Sequence, residues 1–301
     1  MKVSLSLVVA AGIAVLCGDG IVGQARTQAD ASKGPFNMGP LINTAARDVE
    51  PTFAADGRTM YFNCADRRPG GGNDICVSTL VDGAWTAPEV VGPPISTEHG
   101  EVEPLLSRDG TRLYIQSNRP GGFGRSDLWV SRKVDGQWAE PENLGEPFNT
   151  AYADHCLYFA GADEDVAYWT STRPGGYGGN DIWTSRRVDG VWQPAVNLGP
   201  NVNSEHSDHH SLPSEDGRSL YVTSGRPGGH GGEDVYVTTR DENGVWSPLT
   251  NLGPLVNSDQ DDRCPAFSPD YSIFYFDSER AGGFGGKDLW WIEYAAIAGI
   301  R

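Results

Sequence analysis

Residues 197–250 read NLGPNVNSEHSDHHSLPSEDGRSLYVTSGRPGGHGGEDVYVTTRDENGVWSPLT. The core of this stretch is Arg-Pro-Gly-Gly, then an aspartate, then a hydrophobic strand. It recurs from Arg68, Arg119, Arg173, Arg226 and Arg280, the last with alanine in place of proline. Successive arginines stand 51, 54, 53 and 54 residues apart. A period of that length carrying several short strands marks one blade of a β-propeller. The predicted fold class is all-β, with five blades of four antiparallel strands each.

Turn chemistry divides each unit. EVEPLLS (101–107) precedes Asp109-Gly110, which leads into TRLYIQS (111–117). The Arg-Pro-Gly-Gly loop leads to DLWVS (127–131), and Asp135-Gly136 leads to QWAEPENLG (137–145). Asp-Gly between alternating apolar residues is a strong hairpin signal, since both residues tolerate positive φ. The fifth unit stops at DLWWIEYA (288–295), after its third strand. Its missing fourth strand stands at the other end, in GPFNMGPLINT (34–44). An N-terminal strand closing the last blade leaves no open sheet edge. Trp129, Trp138, Trp183, Trp192 and Trp246 fall on strands three and four and are expected between blades.

The chain begins Met1-Lys2 and continues with the apolar VSLSLVVAAGIAVLC (3–17), which fits a secretory signal peptide cleaved after Ala25. Cys17 invites a lipid anchor, but Leu16 is not the small residue expected before a lipidated cysteine. The expected organisation is a signal peptide at 1–25, a linker at 26–35, the propeller at 36–294 and a tail at 295–301. Location is then periplasmic or secreted, with no membrane span. A formal net charge of −17 repels phosphate backbones and excludes nucleic acid as a partner. Export permits disulfides. Cys64 and Cys76 lie on two arms of one hairpin and can bridge, whereas Cys156 and Cys264 belong to non-neighbouring blades and are not expected to bridge unless the channel is narrow.

SRDGTRLYIQSNRPGGFGRSDLWVS (107–131) and SEDGRSLYVTSGRPGGHGGEDVYVTT (214–239) resemble the TolB-type propeller repeat: an acid-bounded Asp-Gly turn, a Leu-Tyr strand, an exposed loop, then Asp and an apolar strand. The Gly-Gly-x-Gly-Gly-Asp form is similar to propeller modules of bacterial envelope proteins, often found beside peptidoglycan-binding domains. The resemblance covers about residues 36–294 and implies a binding or scaffold module of the envelope.

In an up-and-down blade the short Asp-Gly turns share one face. The Arg-Pro-Gly-Gly loops and the inter-blade loops share the other, which is the expected working face because function favours long loops on a rigid scaffold. Groups present in every blade read as architecture. The arginine of each long loop is expected to pair with the aspartate closing that loop, as Arg119 with Asp127 and Arg173 with Asp181. An acid recurs at one offset in every inter-blade loop: Asp48, Glu101, Asp154, Asp208 and Asp262. Such a ring either caps its loops by bonding backbone N–H groups or holds a cation such as calcium at the channel mouth.

Histidine is where the copies differ. His99 and His206 share one loop position, His155 and His209 another, each directly after a ring acid, and His210 follows. Asp154, His155, Asp208, His209, His99 and His206 are candidate ligands for a divalent metal, calcium or a transition ion. His155, His209 and His210 are candidates for acid–base chemistry. Strand alternation sends His209 and His210 to opposite sides if that segment is extended. Phe123, Tyr177, His230 and Phe284 sit at hairpin tips and form a candidate ligand rim. The reading that follows is an exported, monomeric binding module for an envelope or extracellular protein or glycan. A metal-assisted glycan lyase or hydrolase is the alternative.

Overall fold

The computed structural model describes residues 34–300 apart from Gly70; the segment read as a signal peptide and most of that read as a linker lie outside the described residues. Five antiparallel sheets form the five blades. Their inner strands are Asp48–Phe53, Glu101–Leu106, Asp154–Ala160, Asp208–Pro213 and Asp262–Phe267. Each inner strand touches the next, and the fifth touches the first, so the ring is closed around a central channel.

Closure uses the N-terminal segment. Phe36 and Asn37 pair with Trp291 and Trp290, completing blade 5. Asn43 then brackets Leu289, donating to its carbonyl at 3.0 Å and accepting from its N–H at 2.9 Å. The same asparagine clasp follows blades 2, 3 and 4, where Asn149, Asn203 and Asn257 bracket Leu128, Ile182 and Val235. The corner asparagine six residues earlier accepts from each clasp amide at 2.8 Å, as Asn143 does from Asn149, so the corner repeats with the clasp that it holds; after blade 1 Ser96 meets only the Ile75 N–H.

The two kinds of Asp-Gly turn differ. At Asp82-Gly83, Asp135-Gly136 and Asp189-Gly190 both residues have positive φ, as a tight hairpin turn requires. At Asp56-Gly57, Asp109-Gly110 and Asp216-Gly217 only the glycine does. There the aspartate keeps a negative φ and its carboxylate organises the turn instead, as when Asp109 accepts from Ser107 Oγ and Thr111 N–H. The outermost strand is broken in two in blades 1 to 3, its halves pairing separately with the third strand.

Aromatic rings fill the seams between blades. Trp138 packs edge-on to Tyr61 of the preceding blade at 6.1 Å, and Trp246 to Tyr168 at 6.4 Å. Trp129 and Trp183 are buried, and Trp192 stacks near Phe148 and Phe159. Phe53 of blade 1 meets Tyr275 of blade 5 at 4.7 Å, so the closing seam is packed like the others. Beyond the last strand, a short 3-10 turn at Tyr294–Ala296 brings Ile297 into the core, so the segment read as a tail adds to the propeller. Cys64 and Cys76 form a disulfide across strands two and three of blade 1; Cys156 and Cys264 are free and buried.

Deleting residues 34–44 removes the closing strand and the Asn43 clasp. It should lower the calorimetric Tm by at least about 10 °C, more than a single 1 kcal/mol change yields in a domain of this size. An unchanged Tm would show that ring closure does not depend on this strand.

Candidate functional site

The ring acids begin the five inner strands and are all fully buried. Each caps the loop before it, accepting the backbone N–H of the threonine or serine four residues earlier: Thr44 to Asp48, Thr97 to Glu101, Thr150 to Asp154, Ser204 to Asp208 and Ser258 to Asp262. The hydroxyl of the same residue donates as well. The other side of each carboxylate takes an arginine. Arg119 meets Glu101 at 3.2 Å, Arg173 meets Asp154 at 2.9 Å, Arg226 meets Asp208 at 2.9 Å and Arg280 meets Asp262 at 2.5 Å.

This corrects the expected pairing. In blades 2 to 5 the long-loop arginine reaches back to the acid of its own inner strand, not forward to the aspartate closing the loop; among the described residues only Arg68 of blade 1 makes the forward pair, with Asp74 at 3.0 Å. Asp127, Asp181, Asp234 and Asp288 instead accept the backbone N–H groups of Phe123, Tyr177, His230 and Phe284, folding the glycine hairpin over the carboxylate. Gly122 and Gly176 are held so close that a Cβ there would lie 1.9 Å from Asp127 and Asp181 oxygens. In blade 1 the partner of Asp48 is Arg67, at 2.7 Å, while Arg68 pairs with Asp74. Both oxygens of Asp154 and of Asp208 take hydrogen bonds in this way, and among the described residues neither acid belongs to a group of three ligand atoms within 4.8 Å of one another.

Two residues further along each inner strand stands a residue with positive φ: Glu50 (60°), Glu103 (54°), Cys156 (53°), His210 (48°) and Cys264 (51°). Pairing with the second strand slips at the same place in every blade. This is a β-bulge repeated five times, and it re-aims the side chain. Strict alternation would send His209 and His210 apart. The bulge brings their Nδ1 atoms to 2.6 Å instead.

The bulged side chains meet in the channel. Cys156 Sγ donates to Glu103 Oε1 at 3.1 Å, and the Cys156 N–H is bonded to the same carboxylate. Glu103 N–H donates to Glu50 Oε2 at 2.8 Å. Cys264 Sγ lies 3.2 Å from His210 Nε2 and 4.0 Å from Glu50 Oε1. His210 Nε2 lies 3.8 Å from Glu103 Oε1. His155 Nδ1 is 3.0 Å from Cys156 Sγ, with its Nε2 on Asn180 at 3.1 Å; His209 Nε2 meets Glu233 at 3.2 Å.

Electrostatics follows from this crowding. Burial, then the Glu103 charge, pushes Glu50 up to about 7. Burial acts on Glu103 in the same sense. The His155 hydrogen bond and charge, with His210 and the Cys156 thiol, outweigh it and hold Glu103 at about 2. Burial pushes both thiols well up, reinforced by Glu103 at Cys156 and by Asp277 at Cys264. Burial, then His209, drives His210 well down.

This knot of side chains divides two cavities. On the long-loop side a polar one of about 270 Å³ is lined by Arg47, His155, His209, Glu233, Arg263 and Lys287. On the short-turn side a larger one of about 400 Å³ is walled by Pro51, Phe53, Tyr158, Phe159, Phe267 and Tyr271, with Glu50, Glu103, Cys156, His210 and Cys264 at its base. The roomier cavity therefore opens on the face opposite the one nominated from loop length.

Among the sequence candidates, His155, His209 and His210 come together at the channel. His99 and His206 stay half-exposed on their loops, His206 beside Glu205 at 3.8 Å. Phe123, Tyr177 and Phe284 are 59%, 51% and 46% exposed, and His230 is exposed with them at the hairpin tips. Glu50, Glu103, Cys156 and Cys264 were missed. Their only mark in the sequence is a fixed offset, two residues after each ring acid, in DVE, EVE, DHC and DRC beside the DHH of His210.

No protein-family model matches the chain, and no curated protein sequence matches it. Solved structures do share its fold. TolB from Acinetobacter baumannii superposes with a TM-score of 0.51 at 15% identity over 82% of this chain, which spans about half, 54%, of that protein. The endo-arabinase from Bacteroides thetaiotaomicron superposes at 0.54 with 12% identity, covering 83% of this chain and 96% of that one. The Podospora anserina α-L-arabinofuranosidase PaAbf62A superposes at 0.53 with 15% identity, covering 85% and 94%. At these identities the likeness is one of fold.

The Arg119–Glu101 pair is 6% and 0% exposed. Removing one partner of such a pair strands a buried charge, so Arg119→Ala should cost about 3–5 kcal/mol in urea unfolding. A loss below about 1 kcal/mol would show that the clamp does not hold the blade.

Proposed function

We propose that this chain is an exported propeller of the Gly-Gly-x-Gly-Gly-Asp envelope type that binds a glycan in the short-turn mouth of its channel. The observation behind this reading is the cavity of about 400 Å³ with aromatic and proline walls and carboxylates at its base. That volume is in the usual range for ligand sites. Aromatic faces suit the C–H faces of sugar rings, and carboxylates accept their hydroxyls. Among the described residues no helix is long and apolar enough to cross a membrane. A propeller–glycan role agrees with the endo-arabinase and the α-L-arabinofuranosidase that share the fold, though their likeness extends to the fold alone.

A second reading, docking of an envelope protein on the long-loop face, is favoured by the half-exposed rim of Phe123, Tyr177 and Phe284. The two separate by mutation. Tyr271 stands half-buried at the cavity edge, its ring 4.8 Å from Phe267. With a panel of envelope and plant-type oligosaccharides in calorimetry, Tyr271→Ala should weaken binding roughly 10-fold, equivalent to ~1.4 kcal/mol. Phe123→Ser with Tyr177→Ser should leave it unchanged. The reverse pattern transfers function to the rim. Shortened products in the same mixtures would make the protein a hydrolase or lyase.

A further inference from the structure

Blade 3 departs from the repeat at two successive positions. After the ring acid, the inner strands of blades 1 and 2 run valine then glutamate, whereas blade 3 runs His155 then Cys156. The bulge at Cys156 holds both side chains against Glu103 of the blade before it. Three unlike ligand atoms therefore stand together. His155 Nδ1 to Cys156 Sγ is 3.0 Å, Cys156 Sγ to Glu103 Oε1 is 3.1 Å and His155 Nδ1 to Glu103 Oε1 is 3.7 Å. Cys156 is 2% exposed, and the side chains of His155 and Glu103 are 16% and 12% exposed.

Hydrogen bonding alone leaves this trio short of a proton. His155 Nε2 meets Asn180 Oδ1 at 3.1 Å, and Asn180 is set in that orientation by donating its own amide to Ser207 Oγ at 2.9 Å. An acceptor at Nε2 places the ring proton there, so the neutral imidazole turns a lone pair at Nδ1 toward Cys156 and Glu103. One thiol proton then faces two acceptors, Nδ1 and Oε1. A second proton or a metal ion fills that gap. The surroundings suit the ion. Asn180 orients the imidazole from outside, as outer partners do for metal-bound histidines. The Cys156 N–H bonds Glu103 Oε2, which leaves Oε1 as the oxygen nearest the thiol and the ring. Ligand atoms about 2.0–2.3 Å from a tetrahedral ion stand roughly 3.3–3.7 Å from one another. The His155–Glu103 separation already matches, and the sulfur has to give by only about half an ångström.

We propose that Glu103, His155 and Cys156 hold one divalent transition ion of the zinc class, its fourth position open to the polar cavity of about 270 Å³ that Glu103 and His155 line. A thiolate with an imidazole selects such an ion over calcium or magnesium. Binding forms one metal–sulfur, one metal–nitrogen and one metal–oxygen bond. The thiol proton leaves to solvent, as does the Nδ1 proton wherever the ring carries one. The site goes beyond glycan recognition and does not depend on it.

The full chain, purified under a non-chelating reductant and stripped with a chelator, is titrated with Zn²⁺ and with Co²⁺ alone. About one ion per chain should survive gel filtration, and cobalt should give thiolate-to-metal charge-transfer absorption. Cys156→Ser should abolish that absorption. Cys156→Ser and His155→Gln should each weaken Zn²⁺ binding at least about 10-fold. His206→Ala, away from the trio, should not. A folded wild-type chain that retains no ion, or that binds cobalt without a thiolate band, overturns the proposal and leaves the second proton as what fills the gap. Both readings come from the wild type, so they hold even where a variant does not fold. Loss of the ion in Cys264→Ser with retention in Cys156→Ser overturns it as well, by moving the site to Cys264.

Discussion

In every blade a buried carboxylate at the start of the inner strand is bonded on one side by its own loop and on the other by an arginine. The rest of the structure hangs on this contact. The carboxylate has no access to water, so its charge must be met by the guanidinium and by N–H and O–H donors. Meeting those demands fixes the inter-blade loop, the start of the inner strand and the root of the long loop in one place. The guanidinium also carries a carbonyl: Arg119 donates to Ile95 O at 2.7 Å and Arg226 to Val202 O at 2.7 Å. Arg173 and Arg280 lie over Trp183 and Trp290 at 5.3 and 5.5 Å, which ties the clamp to the blade core.

From that anchor the inner strand has a fixed phase, and the bulge two residues later follows at the same height in all five blades. Equal height is what brings side chains from five separate sheets to one level of the channel. A solitary bulge would turn one residue inward; five in register make a floor. The cost is local strain at each, borne because the clamp before it and the pairing after it leave the backbone no alternative.

The fold was legible because turns, glycines and strand aromatics are written in residue types and repeat at a constant period. Even the closing strand could be read, since the last unit lacks what the first segment supplies. The clamp was half legible. Arg119 and Glu101 were both visible, but proximity in sequence favoured Asp127, eight positions from Arg119, over an acid eighteen positions away. The floor was not legible for a physical reason. A left-handed non-glycine residue leaves no compositional trace, and alternation, the rule that reads strands so well, fails at a bulge. Asp208, His209 and His210 show it most plainly, since period-two logic separates two rings that lie 4.6 Å apart.

Symmetry and departure from symmetry divide the work of this chain. Positions whose duty is the same carry the same chemistry: the clamp acid and its arginine in all five blades, the asparagine clasp in four, with Ser96 in its place after blade 1. The bulge position has one backbone duty but five outlooks onto a shared centre, and at a centre five identical side chains would compete for the same space. Five glutamates there would repel one another; five cysteines would leave no charge to balance. A mixed set of two carboxylates, two thiols and an imidazole can pack donor against acceptor, as Cys156 does with Glu103. The asymmetry of the channel is therefore what a closed ring demands wherever its equivalent positions converge. It also concentrates unlike chemistry at the one place where all five blades meet.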